Sequence, residues 1–168
     1  MPRRLDSIIV AAVSAIAVIS GSAPRALAAH VAVGMPAPPF RLEALSGGNI
    51  QSSRLRGRPI LLNFFASWCP PCKLELPYIV RSYPAYAARV AFIGADEQES
   101  AAVVTAFAKR EGISYAIGID EGRAAADFEV GAIPVSVFID RRGIVRAVNR
   151  GYLTPTLLRQ DLALIAGH

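Results

Sequence analysis

The sequence predicts an α/β fold, a single sheet with helices packed against it. Three observations predict this. Pro59-Ile60-Leu61-Leu62-Asn63-Phe64-Phe65-Ala66 is a near-continuous apolar run, the pattern a strand needs when both of its faces are buried. A helix-like segment, Lys73-Leu74-Glu75-Leu76-Pro77-Tyr78-Ile79-Val80, follows it closely, and short apolar runs alternate with helical ones through the rest of the chain. Turn residues, Ser46-Gly47-Gly48-Asn49 and Asp140-Arg141-Arg142-Gly143, then divide two pairs of short strands into hairpins.

Taken in order, Met1 to about Ala29 reads as an export signal, with the remaining domain over 31–168. Arg3 and Arg4 form its charged start, Ile8 to Ile19 its apolar centre, and Ala26-Leu27-Ala28 a small-residue cleavage site. The apolar centre spans 12 residues, against about 20 needed to cross a bilayer. A cleaved signal is therefore expected over an uncleaved anchor, and with it a periplasmic or other extracytoplasmic, oxidising compartment.

Val31 to Pro39 is Pro-rich and extended. Phe40 to Leu45 and Ile50-Gln51 form the first hairpin, and Arg56-Gly57-Arg58-Pro59 turns the chain into the buried strand. The following helix is expected to reach about Ala88, kinked by Pro77. Val90 to Gly94 is a short strand. Asp96, Glu97 and Glu99 stand where a helix start favours acids, and that helix turns Val103, Val104 and Phe107 inward before stopping at Gly112. Tyr115 to Asp120 is a strand and Arg123 to Phe128 a short helix. Val135 to Ile139 and Ile144 to Val148 flank the second hairpin turn. Thr154 caps a last helix with Pro155 in its first position, and Leu157, Leu158, Leu162 and Ile165 line one face.

The chain holds 168 residues, 53% of them hydrophobic, enough for one core. Its 18 basic and 13 acidic residues fall to 15 and 12 once Arg3, Arg4, Arg25 and Asp6 of the export signal are set aside, a balance of +3. No dense basic run with interleaved aromatics remains, so nucleic acid is not an expected partner.

The chemistry concentrates in Trp68-Cys69-Pro70-Pro71-Cys72-Lys73, which holds the only tryptophan and both cysteines. These thiols fall where a buried strand ends and a helix begins. Unpaired N–H groups and the positive end of the helix dipole favour a thiolate there. With two residues between them, Cys69 is expected exposed and Cys72 one turn inward, an attacking and a resolving thiol. Pro70 and Pro71 offer no N–H, so the N–H and S–H of Cys72 are the local donors to Cys69.

Three other uses of the pair fit less well. A purely structural bridge closing so small a loop removes little chain entropy. Zinc needs about four ligands, and the histidines are His30 and His168, at the two ends of the expected mature chain. Haem attachment needs a histidine where Lys73 stands. No metal or cofactor is expected.

Gly34-Met35-Pro36-Ala37-Pro38-Pro39-Phe40, Leu55 to Pro59, Asn63 through Cys72, Ile133-Pro134 and Phe138-Ile139-Asp140 together resemble the thioredoxin-like proteins of the TlpA/ResA class. The likeness covers roughly residues 34 to 166, with the motifs in the family's order. It implies a thioredoxin fold: a central mixed β-sheet flanked by helices, with an N-terminal β-hairpin and a central insert. It also implies that Cys69 attacks and Cys72 resolves, with a Cys69–Cys72 disulfide in the oxidised protein. Ile133-Pro134 is then a cis bond facing the disulfide, its backbone binding extended substrate peptide. Trp68 shields the sulfurs on this likeness; a plain core aromatic is the competing reading.

Members of the class usually reduce disulfides outside the cytoplasm, often for cytochrome c maturation or oxidase assembly. The partners so implied are proteins with disulfides and a membrane-embedded thiol electron donor, with the chain itself a monomer. The class commonly places a glutamate near the disulfide at the start of the insert helix. Glu99 fits that position, as a partly buried acid of raised pKa that exchanges a proton with the thiols; the competing reading makes it a solvated helix-start acid. Two departures stand out. Thioredoxin keeps an aspartate where Asn63 stands, and Val135-Ser136 replaces the usual threonines after Pro134.

The expected activity is disulfide reduction. A disulfide-donating oxidase of the same fold, a peroxidase-like redoxin, a copper-delivery protein and a non-catalytic binding domain are the alternatives. A peroxidase needs a further cysteine well before Cys69, and copper delivery needs a histidine beside the pair; the sequence has neither.

Overall fold

The computed structural model describes residues 31–167. The export signal expected over 1–29 lies outside them. No helix among the described residues is long and apolar enough to cross a membrane.

Seven strands form one mixed sheet in the order β2-β1-β5-β4-β3-β6-β7. They are β1 (Arg41–Ala44), β2 (Asn49–Gln51), β3 (Ile60–Phe65), β4 (Ala91–Glu97), β5 (Ala116–Asp120), β6 (Val135–Ile139) and β7 (Val145–Arg150). Four helices connect or follow them: α1 (Pro70–Tyr86), α2 (Ala101–Glu111), α3 (Arg123–Asp127) and α4 (Pro155–Ala166). The three inner strands β3, β4 and β5 run parallel, while β1, β2, β6 and β7 pair antiparallel. This is the thioredoxin-type α/β arrangement, with the hairpin β1–β2 on one edge.

β3 lies between β4 and β6, and each of its six residues is buried. Successive side chains point to opposite faces. Ile60, Leu62 and Phe64 join a core layer with Ala124, Ala125 and Phe128 of the α3 region. Leu61 and Phe65 join the other layer, with Leu76 and Ile79 of α1, Phe107 of α2 and Leu162 of α4. Asn63 shares the second face, so the strand carries an amide into the layer beneath α1.

The turns follow the residues. Gly112 closes α2 in the left-handed region at φ 67°, where a side chain is strained. Gly118 is required by space: a Cβ there would lie 2.6 Å from the Leu42 Cβ on the neighbouring strand. Thr154 caps α4 as expected, its Oγ1 accepting the Leu157 N–H at 3.3 Å.

Four expectations need correction. β4 does not stop at Gly94 but continues to Glu97, because its ladders with β3 and β5 extend through Asp96 and Glu97. These acids are strand residues, and the cap of α2 is Ser100. α1 ends at Tyr86 and holds both Pro77 and Pro84. The two prolines are seven residues apart and both exposed, on the solvent side of the helix. Val103 of α2 and Leu157 of α4 are partly exposed, at 46% and 39%. Val104 with Phe107, and Leu158 with Leu162 and Ile165, form the buried stripes, each rotated one position from the outermost residue expected.

Candidate active site

β3 ends at Phe65, three residues lead away from it, and Cys69 occupies the N-cap of α1 with Pro70 and Pro71 in the first turn. Cys69 and Cys72 are joined by a disulfide, S–S 2.03 Å, with 5.3 Å between their Cα atoms. The Cys72 N–H donates to Cys69 Sγ at 3.2 Å. That bond takes the place of the side-chain oxygen an ordinary N-cap residue supplies.

The expected exposure of Cys69 is not seen: both cysteines are 2% exposed. A sulfur bonded to Cys72 and accepting a helix N–H is turned toward the helix, away from solvent. Trp68 is the opposite case. It is 63% exposed, which removes the reading as a core aromatic. Ile133-Pro134 is a cis bond. Because Phe64 pairs with Val135, Pro134 stands just before β6 at the end of the sheet where β3 leaves for Cys69. Pro134 is buried and Ile133 half-buried.

Glu99 lies one residue before the α2 cap and reaches the loop before Cys69. Its carboxylate accepts the Ser67 backbone N–H at 2.5 Å and the Ser67 hydroxyl at 2.6 Å. Burial works to raise its pKa, but the Ser67 hydrogen bonds, the shared bond with Asp96 and the nearby Lys73 outweigh that, and the net direction is down. The expected raised pKa is thereby overturned. The solvated helix-start reading fails as well, because the carboxylate is bound to Ser67. Asp96, fully buried beneath it, is the carboxyl pushed up, to about 7, chiefly by burial.

A second buried acid went unrecognised in the sequence. Glu75 lies one turn after Cys72 and is 1% exposed. Its Oε1 accepts from Asn63 Nδ2 at 2.8 Å, and its Oε2 accepts the Leu153 backbone N–H at 2.7 Å. The same Asn63 amide donates to Ser136 Oγ at 3.0 Å. Burial raises the Glu75 pKa to about 7, with the Leu153 and Asn63 hydrogen bonds working against that rise. The sequence held a signal: Cys72, Glu75, Leu76 and Ile79 share the 3.6-residue stripe that faces inward, so Glu75 is an acid in an apolar stripe. The two departures from the family pattern, Asn63 and Ser136, prove to be hydrogen-bonded to each other, and Asn63 to Glu75. The Tyr115 hydroxyl is buried near this acid and has no hydrogen-bond partner among the described residues.

A carboxyl that titrates near neutrality, one helical turn from the inner cysteine, can take and return a proton in the pH range where thiols react. No cluster of three or more His, Cys, Asp or Glu able to hold a metal occurs among the described residues.

Comparison with known proteins agrees with this geometry. Residues 33–148 match the model of the AhpC/TSA family. The thiol-disulfide oxidoreductase ResA of Geobacillus thermodenitrificans is 34% identical over 137 residues, covering 80% of this chain and 79% of that protein. The thioredoxin-like protein YneN of Bacillus subtilis is 31% identical over 134 residues, 78% and 79% of the two chains. Among solved structures, a thiol:disulfide interchange protein of the thioredoxin family from Chlorobium tepidum superimposes with a TM-score of 0.73 at 29% identity, over 82% of this chain and 99% of that one.

Proposed function

The chain belongs to the AhpC/TSA family, among its ResA-like thioredoxin-fold thiol–disulfide oxidoreductases, and we propose that it works as a protein disulfide reductase outside the cytoplasm. The observation that carries the direction is the pair of prolines that follows Cys69 at the head of α1. Proline in the first two helical positions leaves the Cys72 N–H as the local backbone donor, and Glu75 adds negative charge nearby when ionised. A dithiol whose thiolate is weakly stabilised gives up its electrons readily, whereas strong oxidants owe their potential to a stabilised reduced form.

In the proposed reaction the Cys69 thiolate attacks one sulfur of a substrate disulfide. A mixed disulfide forms, and the departing substrate thiolate takes up a proton. Glu75, ionised, accepts the Cys72 thiol proton. The resulting thiolate attacks Cys69 Sγ, the Cys69–Cys72 bond forms as the bond to the substrate breaks, and the second substrate sulfur leaves as a thiolate that takes up a proton, Glu75 releasing the one it accepted. The substrate is reduced by two electrons and the protein oxidised by two, so a thiol donor must then reduce the protein; a membrane-embedded dithiol is the donor proposed. Ile133 and Pro134, at the strand end where β3 leaves for Cys69, are proposed to bind the substrate backbone, and exposed Trp68 to pack on the substrate. Disulfides of the cytochrome c maturation or oxidase assembly machinery are the proposed targets. A peroxidase would need a cysteine outside the 69–72 pair, and the chain has two cysteines in all.

The reduction potential tests the direction. Equilibration with redox buffers should give a value at or below the thioredoxin end of the range, about −270 mV; a value near the oxidase end, about −120 mV, would overturn the reductase reading. Cys72→Ser expressed in the native host should trap the substrates as mixed disulfides on Cys69.

A further inference from the structure

Asp96 is held in the sheet interior by two ladders, opposite Phe65 of β3 and Ile119 of β5. Its Oδ1 accepts the Glu99 backbone N–H at 3.0 Å. Its Oδ2 is buried and has no hydrogen-bond donor among the described residues. A buried carboxylate oxygen without a donor is costly. A protonated carboxyl is itself a donor, and an acceptor is near: the Glu99 backbone N–H is bound to Asp96, and the two carboxyl groups interact directly. Glu99 already receives two hydrogens from Ser67, which suits an anion. Of the two acids, Asp96 is therefore the one that keeps the proton.

We propose that Asp96 is a positioning residue for the thiol–disulfide reaction: carrying a proton, it holds the Glu99 carboxylate on Ser67 and so fixes the Ser67-Trp68 segment that delivers Cys69 to the head of α1. This role rests on the thiol–disulfide reading for its consequence, while the chain of contacts from Asp96 through Glu99 to Ser67 stands without it. Burial and the Glu99 charge keep the Asp96 proton bound into the neutral range. Once it leaves, two carboxylates face one another. Glu97 of β4 adds a further acid beside Asp96, Asp120 of β5 faces Glu97, and Lys73 of α1 is the cation facing Glu99. Like-charge repulsion then favours release of Glu99 from Ser67, and Trp68 gains freedom.

Trp68 is the only tryptophan, so its fluorescence in the oxidised protein reports the clamp without any thiol chemistry. The wild type should show a transition with a midpoint between about pH 6 and 8. Asp96→Asn keeps an acceptor for the Glu99 N–H and offers an amide donor to its carboxylate, but has no proton to lose. Its fluorescence should keep the acid-form value throughout. Glu99→Gln removes the charge facing Asp96 and should move the midpoint down by about half a pH unit or more. Glu75→Gln, which removes the other carboxyl titrating in this range, should leave the midpoint in place. In the reduced protein, the Cys69 alkylation rate of Asp96→Asn relative to wild type should depart from 1 by twofold or more only above the transition. An unchanged transition in Asp96→Asn, an unmoved midpoint in Glu99→Gln, loss of the transition in Glu75→Gln, or a flat alkylation ratio would each overturn the proposal. Insulin reduction by the wild type, measured alongside, decides the reductase reading separately.

Discussion

Asn63 Nδ2 donates to Glu75 Oε1 across 2.8 Å, tying the central strand β3 to the helix that holds Cys72. Each of the two is paired elsewhere too, Asn63 with Ser136 and Glu75 with the Leu153 N–H. An amide cannot take a proton, so in this chain Asn63 orients the carboxyl and Glu75 is the group able to titrate. The polar contacts also explain why a carboxyl can sit almost fully buried: each of its oxygens accepts a protein hydrogen bond, one from Asn63 and one from the Leu153 N–H.

Glu75→Gln should keep the shape and both hydrogen-bond acceptances only in part, and lose the proton exchange. The rate of the resolving step near pH 7 should fall by roughly 10²-fold or more, the lower range for a lost general base. The first attack by Cys69 on a small disulfide should change far less. Stopped-flow kinetics that separate the two steps check this; equal slowing of both would assign Glu75 a structural part.

The two cysteines should fail differently. Cys69→Ser should abolish insulin reduction. Cys72→Ser should retain a single round of attack and accumulate covalent adducts, visible by mass spectrometry. In the reduced protein Cys69 should alkylate faster than Cys72. Faster alkylation of Cys72 at neutral pH would reverse the two assignments.

Stability should rise on acidification from neutral pH. Glu75 and Asp96 both hold protons in the folded protein up to about pH 7, while the unfolded chain loses them near 4. Unfolding between these values releases protons, so the stability they contribute is complete below the unfolded values and is lost as pH rises toward 7. Each group changes stability by at most about 1.4 kcal/mol per pH unit. Asp140 and Glu99, with lowered pKa values, act the other way, and their contribution is lost only as pH falls through the acid range. The oxidised protein should therefore melt several degrees higher, on the order of 5 °C, at pH 5.5 than at pH 7.5. Glu75→Gln and Asp96→Asn should each flatten that slope. A melting temperature that falls between pH 7.5 and 5.5 would contradict the assignment.

Export should remove the N-terminal segment. N-terminal sequencing of the protein from its host should begin near His30, following cleavage close to Ala28 or Ala29. A start at Met1 would instead indicate a retained anchor.

The sequence by itself determined the elements and the thiol pair. An apolar run ending in Cys69-Pro70-Pro71-Cys72, glycines at the turns, Thr154 before Pro155 and Gly112 after α2 act through local sterics and hydrogen bonds that span a few residues, so they are legible in order along the chain. The tertiary structure decided what meets the thiols. Glu75 draws its hydrogen bonds from Asn63, 12 residues before it, and from Leu153, 78 residues after it. Glu99 finds Ser67 across 32 residues. Periodicity tells which face of a helix turns inward but not which polar group waits there, and it places Val103 and Leu157 one position too deep. Asp96 and Glu97 likewise read as helix-start acids, and became strand residues because β3 and β5 extend the ladder past Gly94. Burial and distant hydrogen bonds set the proton affinities of Glu75, Asp96 and Glu99, and both arise only when separate segments pack together.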